Sequence, residues 1–453
     1  MIVRNVKLVF STNALMLGSG VITSLLSSWA LGPHGRGDLM IVLTWPGVFA
    51  MVAEFGMPQA HRFWTAKRPQ FVSAMFSNSL IFAIVVGVLT LGLAELMIPH
   101  LVGQRSAEVI FLVKLYAVII PMSLVTDLMR SLLEGSRRFI SVGAVRLIFF
   151  AVQATCFVAL WFSGRFTVAN ATYVMIAAAA ASMILSILAV LRQLAPSWRP
   201  GMAALKSTLR FGLRDYPGIL TEFANWRLDS LMITGFASNT SIGLYSVAVA
   251  LSDITTTLAS SVSDALMPEV AASKKRDAAT RVVARSLRLT VGAHLLILVP
   301  LWFAAPLILR FAYGHAFVEV APVLRLLLVG SVIWSASAIV ISGLNGLGHP
   351  GLSAIARGIA AIVKTLTLLA WLPLHGIMGA AWSSIAAYSV LLIVALFWML
   401  RRTDIGVWEC LRPRLSDMPS GFRPADLSSE FSKYLRRTKG TPKTADAVLS
   451  GIE

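Results

Sequence analysis

Charge is scarce in this chain. Only 13% of its 453 residues are Asp, Glu, Lys or Arg, against about a quarter in a water-soluble domain. Cysteine is scarcer: Cys156 falls within an apolar run and Cys410 in a distant polar stretch, so no disulfide framework is implied. The seven histidines are scattered, and neither a His-x-x-x-His pair nor a Cys cluster offers ligands to a metal. There is no Gly-x-x-x-x-Gly-Lys-Ser/Thr loop, which excludes ATP hydrolysis of the P-loop kind. The residues ask for no cofactor, and the chain reads as a non-enzyme.

Apolar sequence is what fills the space. Hydrophobic residues make up 57% of the chain and the mean hydropathy is +0.77. Apolar runs of about 20 residues recur, each long enough to cross roughly 30 Å of hydrocarbon. Bounded by Gly, Pro and charge, they read as spans at 8–31, 39–58, 71–98, 109–133, 140–163 and 168–191. Six more follow at 217–237, 243–268, 287–311, 322–343, 352–373 and 377–400. Those starting at Pro217 and Gly243 are the most polar. The fold class is therefore an all-α integral membrane protein of about twelve transmembrane helices. Residues 1–191 form an N-terminal six-helix lobe, 192–216 a basic linker, 217–402 a C-terminal six-helix lobe and 403–453 a polar basic tail. Arg4 and Lys7 before an apolar run resemble a signal peptide, but the run from Leu8 to Leu31 is too long for one, so an uncleaved first helix is expected.

The formal charge of +18 does not point to nucleic acid, because the basic residues are dispersed between spans. With the N-terminus in the cytoplasm, the inside segments hold Arg62, Lys67, Arg68, Arg137, Arg138, five basic residues from Arg192 to Arg214, and the run from Lys274 to Arg288. Only Arg36, Arg105, Arg165 and Arg310 fall outside. That asymmetry follows the positive-inside rule and puts both termini in the cytoplasm. The tail is mostly disordered by composition. Within it Leu427, Phe431, Tyr434 and Leu435 share a helical face, which either lies on anionic lipid or is chance spacing.

The two halves are alike. Lys114 and Arg325 open spans in matching contexts, Gly135 and Gly346 close them, and Arg146 and Arg357 sit early in the next, each pair 211 residues apart. Gly37 and Gly243 precede spans that lead to Pro58 and Pro268. Matched charges inside apolar spans are rare enough to indicate a duplication. Both halves start on the same side, so the repeat is parallel, with two bundles around a central cavity.

The stretch Leu31-Gly-Pro-His-Gly-Arg-Gly-Asp38 and the span end Glu54-Phe-Gly-Met-Pro-Gln-Ala60 resemble the first hairpin of the Wzx-type polysaccharide-precursor flippases. Phe211-Gly-Leu-Arg214, Asn225-Trp-Arg-Leu-Asp229, Gly243-Leu-Tyr245, Val323-Leu-Arg-Leu-Leu327 and His375-Gly-Ile-Met-Gly-Ala380 add to the likeness, which covers roughly residues 1–402. The resemblance implies the multidrug/oligosaccharidyl-lipid/polysaccharide exporter fold in the bacterial inner membrane. It implies a polyprenyl-diphosphate-linked oligosaccharide as substrate, membrane lipids around it, and a polysaccharide polymerase and chain-length regulator as partners. It places the Asn225–Asp229 segment on a cavity-lining helix. A drug/cation antiporter of the same fold, a lipid II flippase and a membrane glycosyl ligase or polymerase are the alternatives; the last is disfavoured by the short outside loops.

A charge inside a span costs about 2.5–3.5 kcal/mol and so needs a partner, water or a task. The candidate substrate-binding cations are Arg227, Lys364, Arg146 and Arg357. Arg146 and Arg357 are shallow enough to snorkel as well. Lys364 either faces the cavity or makes an interhelical ion pair. Arg227 either meets the diphosphate or neutralises a carboxylate such as Asp253. The ion-coupling or ion-pair candidates are Glu54, Glu222, Asp229, Asp253 and Asp264. Asp253, Thr257, Ser260 and Asp264 share a helical face, too polar to meet lipid.

Overall fold

The computed structural model describes residues 2–103, 105–272 and 276–402. The tail at 403–453 lies outside the described residues, as do the side chains of Asp264 and of residues 2–14. The chain is helical along nearly all of its described length. In order come α1 (Ile2–Ala53), α2 (Met57–Lys67), α3 (Val72–Leu101), α4 (Ala107–Tyr116), α5 (Ile119–Gly135), α6 (Phe139–Phe162) and α7 (Val168–Leu194). The second half holds α8 (Met202–Phe236), α9 (Asn239–Ala272), α10 (Arg276–Ile308), α11 (Ala321–Gly346) and α12 (Pro350–Arg401).

Among the described residues, nine segments are long and apolar enough to cross a membrane. Two of them, α1 and α12, are each a pair of helices joined at a single glycine, Gly32 at φ 62° and Gly376 at φ 57°. Only a residue without Cβ takes that left-handed turn at little cost, so each of these elements crosses twice. Helices α4 and α5 make one crossing with a break at Ala117 and Val118. The crossing that hydropathy misses is α8, interrupted by Glu222, Arg227 and Asp229. The result is twelve crossings in two lobes, with backbone polar groups satisfied inside helices as hydrocarbon demands. Large apolar side chains such as Leu96, Phe162, Leu296 and Phe303 are exposed on the outside of the bundle, where lipid would meet them.

The stretch 192–216, read from sequence as a linker, is helical from Met202 onward. Ala204, Thr208 and Gly212 are buried at four-residue spacing, one face of a helix laid against the first lobe. Gly212 and Gly56 are in backbone contact there, leaving no room for a side chain on either. Tyr216 Oη donates to Val52 O at 2.6 Å. This side of the molecule is termed the Gly56 end, and the opposite side the Pro33 end.

The internal repeat is visible in packing. A Cβ on Gly135 would lie 2.8 Å from Thr65 Cβ and 2.9 Å from Arg62 O. One on Gly346 would lie 2.7 Å from Val270 Cβ and 2.9 Å from Met267 O. Corresponding glycines thus close corresponding helix ends. At the Pro33 end Gly37 and Gly243 bring the lobes together: a Cβ on Gly37 would overlap Asn239 O, and one on Gly243 would overlap Pro33 O. Small residues that let backbones approach are the usual means of holding helices in lipid.

Candidate substrate cavity

Two adjoining cavities of about 290 and 470 Å³ lie between the lobes. Both are bordered by Gly20 and Ser24 of α1, Arg227 of α8, and Ala250 and Asp253 of α9. Arg227 is half-buried, pairs with Asp253 at 3.3 Å and lies over the Trp226 ring at 4.3 Å. Its guanidinium and the Asp253 carboxylate therefore sit together on the cavity wall. One ion pair leaves much of the five-donor fork of an arginine unused.

Arg36 is the residue that sequence reading missed. The span bounds at 31 and 39 leave it in an outside loop. The break between those spans is a single-glycine turn, and Arg36 reaches back from the start of the second crossing to the cavity wall. It donates to Ser24 O at 2.5 Å, Ser28 Oγ at 2.6 Å, Ser27 Oγ at 2.9 Å and Ser24 Oγ at 3.0 Å. Its Nε donates across the lobe boundary to Ser246 Oγ at 2.9 Å. Hydroxyls and one backbone carbonyl accept from its donors, but none of the ion pairs among the described residues involves this buried guanidinium. The serine pattern of the first helix (Ser24, Ser27, Ser28) was the available signal.

Lys364 does not face the cavity. It is completely buried, pairing with Asp229 at 3.3 Å and donating to Asn225 O at 2.6 Å. Asp229 also accepts from Tyr245 Oη at 2.5 Å and Ser384 Oγ at 3.3 Å. The interhelical pair expected as one alternative is what the fold contains, because Lys364 on α12 points at α8 rather than toward the other lobe. It ties α8, α9 and α12 into one body.

The remaining candidates lie apart from the central cavity. Arg146 is 3.6 Å from Glu134, which also pairs with Arg130 at 3.5 Å and with Arg62. Asp127 and Arg130 pair at 2.7 Å, and the Glu54 carboxyl lies close to Asp127. Asp127, Arg130 and Arg146 of this cluster border a cavity of about 410 Å³ within the N-terminal lobe. Arg357 is 3.7 Å from Glu222, and both border a cavity of about 480 Å³ within the C-terminal lobe. The repeat-related arginines thus occupy equivalent places in two separate pockets. No group of three or more His, Cys, Asp or Glu suited to a metal ion occurs among the described residues.

Twelve crossings in two lobes around a cavity define a multi-pass membrane protein with a transporter fold. The chain belongs to the polysaccharide biosynthesis protein family, whose model matches residues 31–322. Among solved structures it resembles the lipid II flippase MurJ in an inward closed conformation, at 14% identity and TM-score 0.74, covering 98% of this chain and 94% of that one. It also resembles an inward-facing multidrug resistance MATE family transporter of the MOP superfamily, at 14% identity and TM-score 0.67 over 84% and 94% of the two chains. A third likeness is to a MOP superfamily transporter from Pyrococcus furiosus described as having a binding pocket of reversed polarity, at 14% identity and TM-score 0.56, over 87% and 95%. No curated protein matches the sequence.

Proposed function

We propose that the chain is a flippase that carries a polyprenyl-diphosphate-linked oligosaccharide across the bacterial inner membrane for surface or exopolysaccharide synthesis. The observation that carries this reading is the pair of arginines on one cavity wall, Arg36 and Arg227, set against a single carboxylate, Asp253. A buried guanidinium without an anionic partner is costly at membrane depth, and a diphosphate supplies the missing charge. Its oxygens suit the planar fork of arginine. The lipid chain stays in the bilayer while the headgroup passes between the lobes. A drug/cation antiporter would need a cavity of the opposite sign. The loop charges favour the Gly56 end as cytoplasmic, the close packing at Pro33 then acts as the closed outer gate, and the family likeness supports the inner membrane as location.

The test is translocation in proteoliposomes carrying lipid-linked oligosaccharide in both leaflets, read by impermeant periodate oxidation of the exposed sugar. The protected inner pool is expected to become oxidisable in vesicles containing the chain and to stay protected in empty ones. Persistent protection, with dissipation of a cationic dye gradient instead, would favour the antiporter.

A further inference from the structure

The cavity in the C-terminal lobe has a chemistry its N-terminal counterpart lacks. Along α5, the N-terminal cavity is bordered by Asp127 and Arg130, and along α6 by Phe149 and Phe150. At the positions on α11 that correspond to Asp127 and Arg130, the C-terminal cavity has Ala338 and Ile341, with Ser337 and Asn345 beside them. Of the charge network only the Glu222–Arg357 pair has a counterpart here, and hydroxyls and amides take the place of the rest. The indoles of Trp226 on α8 and Trp334 on α11 both border this cavity. Asn225, which also borders the cavity, is 5% exposed and donates to Thr221 O at 2.9 Å and Arg357 O at 2.8 Å. Its acceptor Oδ1 is buried with no hydrogen-bond partner. Such an orphan is costly and uncommon in a folded protein. Trp226, Thr256 and Ser260 border both this cavity and the central one.

Flat aromatic faces, neutral donors and acceptors, and one charged pair are what a polyhydroxylated ring requires, because each sugar presents apolar C–H faces and a rim of hydroxyls. The volume of about 480 Å³ falls within the range of pockets that enclose small-molecule ligands. We propose that this C-terminal-lobe cavity holds the sugar portion of the lipid-linked substrate while the diphosphate lies at Arg36 and Arg227. The inference rests on the flippase reading above. It makes the two lobes unequal: one recognises the glycan and the other does not. Trp334 supplies a stacking face, and the Glu222–Arg357 pair supplies a charged acceptor and donor at the rim.

The test is binding to the full chain in nanodiscs, using two probes that differ in the glycan. One is the lipid-linked oligosaccharide extracted from the cells that make this chain, and the other is undecaprenyl diphosphate. Wild type is expected to bind the glycan-bearing probe at least tenfold more tightly. Trp334→Ala, and separately Glu222→Gln with Arg357→Gln, should lose that difference while binding undecaprenyl diphosphate as before, which also shows that the variants are folded. Retention of the tenfold difference in both variants overturns the inference. So does equal binding of the two probes by wild type, which leaves the flippase reading standing. If wild type binds neither probe, the flippase reading falls and the inference with it.

Discussion

Removing the Lys364 ammonium would leave Asp229 as a carboxylate in the interior of the C-terminal lobe, facing the Tyr245 and Ser384 hydroxyls and the Ser230 backbone N–H but no paired cation. Breaking a buried pair on one side typically costs about 3–5 kcal/mol, whereas replacing both partners by neutral groups is often close to neutral. Lys364→Met is therefore expected to lower the thermal midpoint of the protein in detergent markedly. Adding Asp229→Asn should restore most of it. A midpoint unmoved by Lys364→Met would show that the pair does not brace α8 against α12. The deep charges themselves were legible in the sequence because they are rare in apolar spans. Their partners were not, since Asp229 and Lys364 meet only through helix packing that no local pattern encodes. Asp253 was legible as a partner for Arg227, as one of two open alternatives. Arg36 was hidden by position: it falls between the span bounds at 31 and 39 and so reads as loop, and only the three-dimensional turn at Gly32 points it into the cavity.

At the scale of elements, α8 shows why hydropathy and propensity disagree. Pro217 and the basic residues before it suggested a boundary, yet the helix runs through from Met202 to Phe236. The buried face of Ala204, Thr208 and Gly212 holds its first turns against the first lobe, so tertiary contact overrides the local signal. Twelve crossings were nonetheless readable, because length and apolarity are constraints of the bilayer rather than of packing. The contact of α1 with α9 depends on two glycines more sharply than any other part of the fold. A methyl group on Gly37 would occupy the place of Asn239 O. Gly37→Ala is thus expected to part the lobes at the Pro33 end. Spin labels at His34 and Thr240, on opposite sides of that contact, should show a longer and broader distance distribution in the variant. An unchanged distribution would mean that the contact is not a gate.

For the whole molecule, the duplication was visible in matched charges and glycines 211 residues apart, and the glycine packing of both lobes repeats it. The unequal chemistry of the two lobes was not visible, because it depends on which faces of α5 and α11 turn toward a cavity. Two lobes joined by small-residue contacts, with a mixed-charge cavity between them, suit alternating exposure of one site to either side. The central claim is that the guanidinium of Arg227 serves an anionic headgroup rather than merely holding Asp253. Proteoliposome translocation of lipid-linked oligosaccharide by Asp253→Asn, compared with Arg227→Gln combined with Asp253→Asn, isolates that cation, since neither variant leaves a carboxylate at position 253 to be neutralised. The account predicts measurable translocation by the single variant and at least a tenfold lower rate in the double. Equal rates in the two would contradict it.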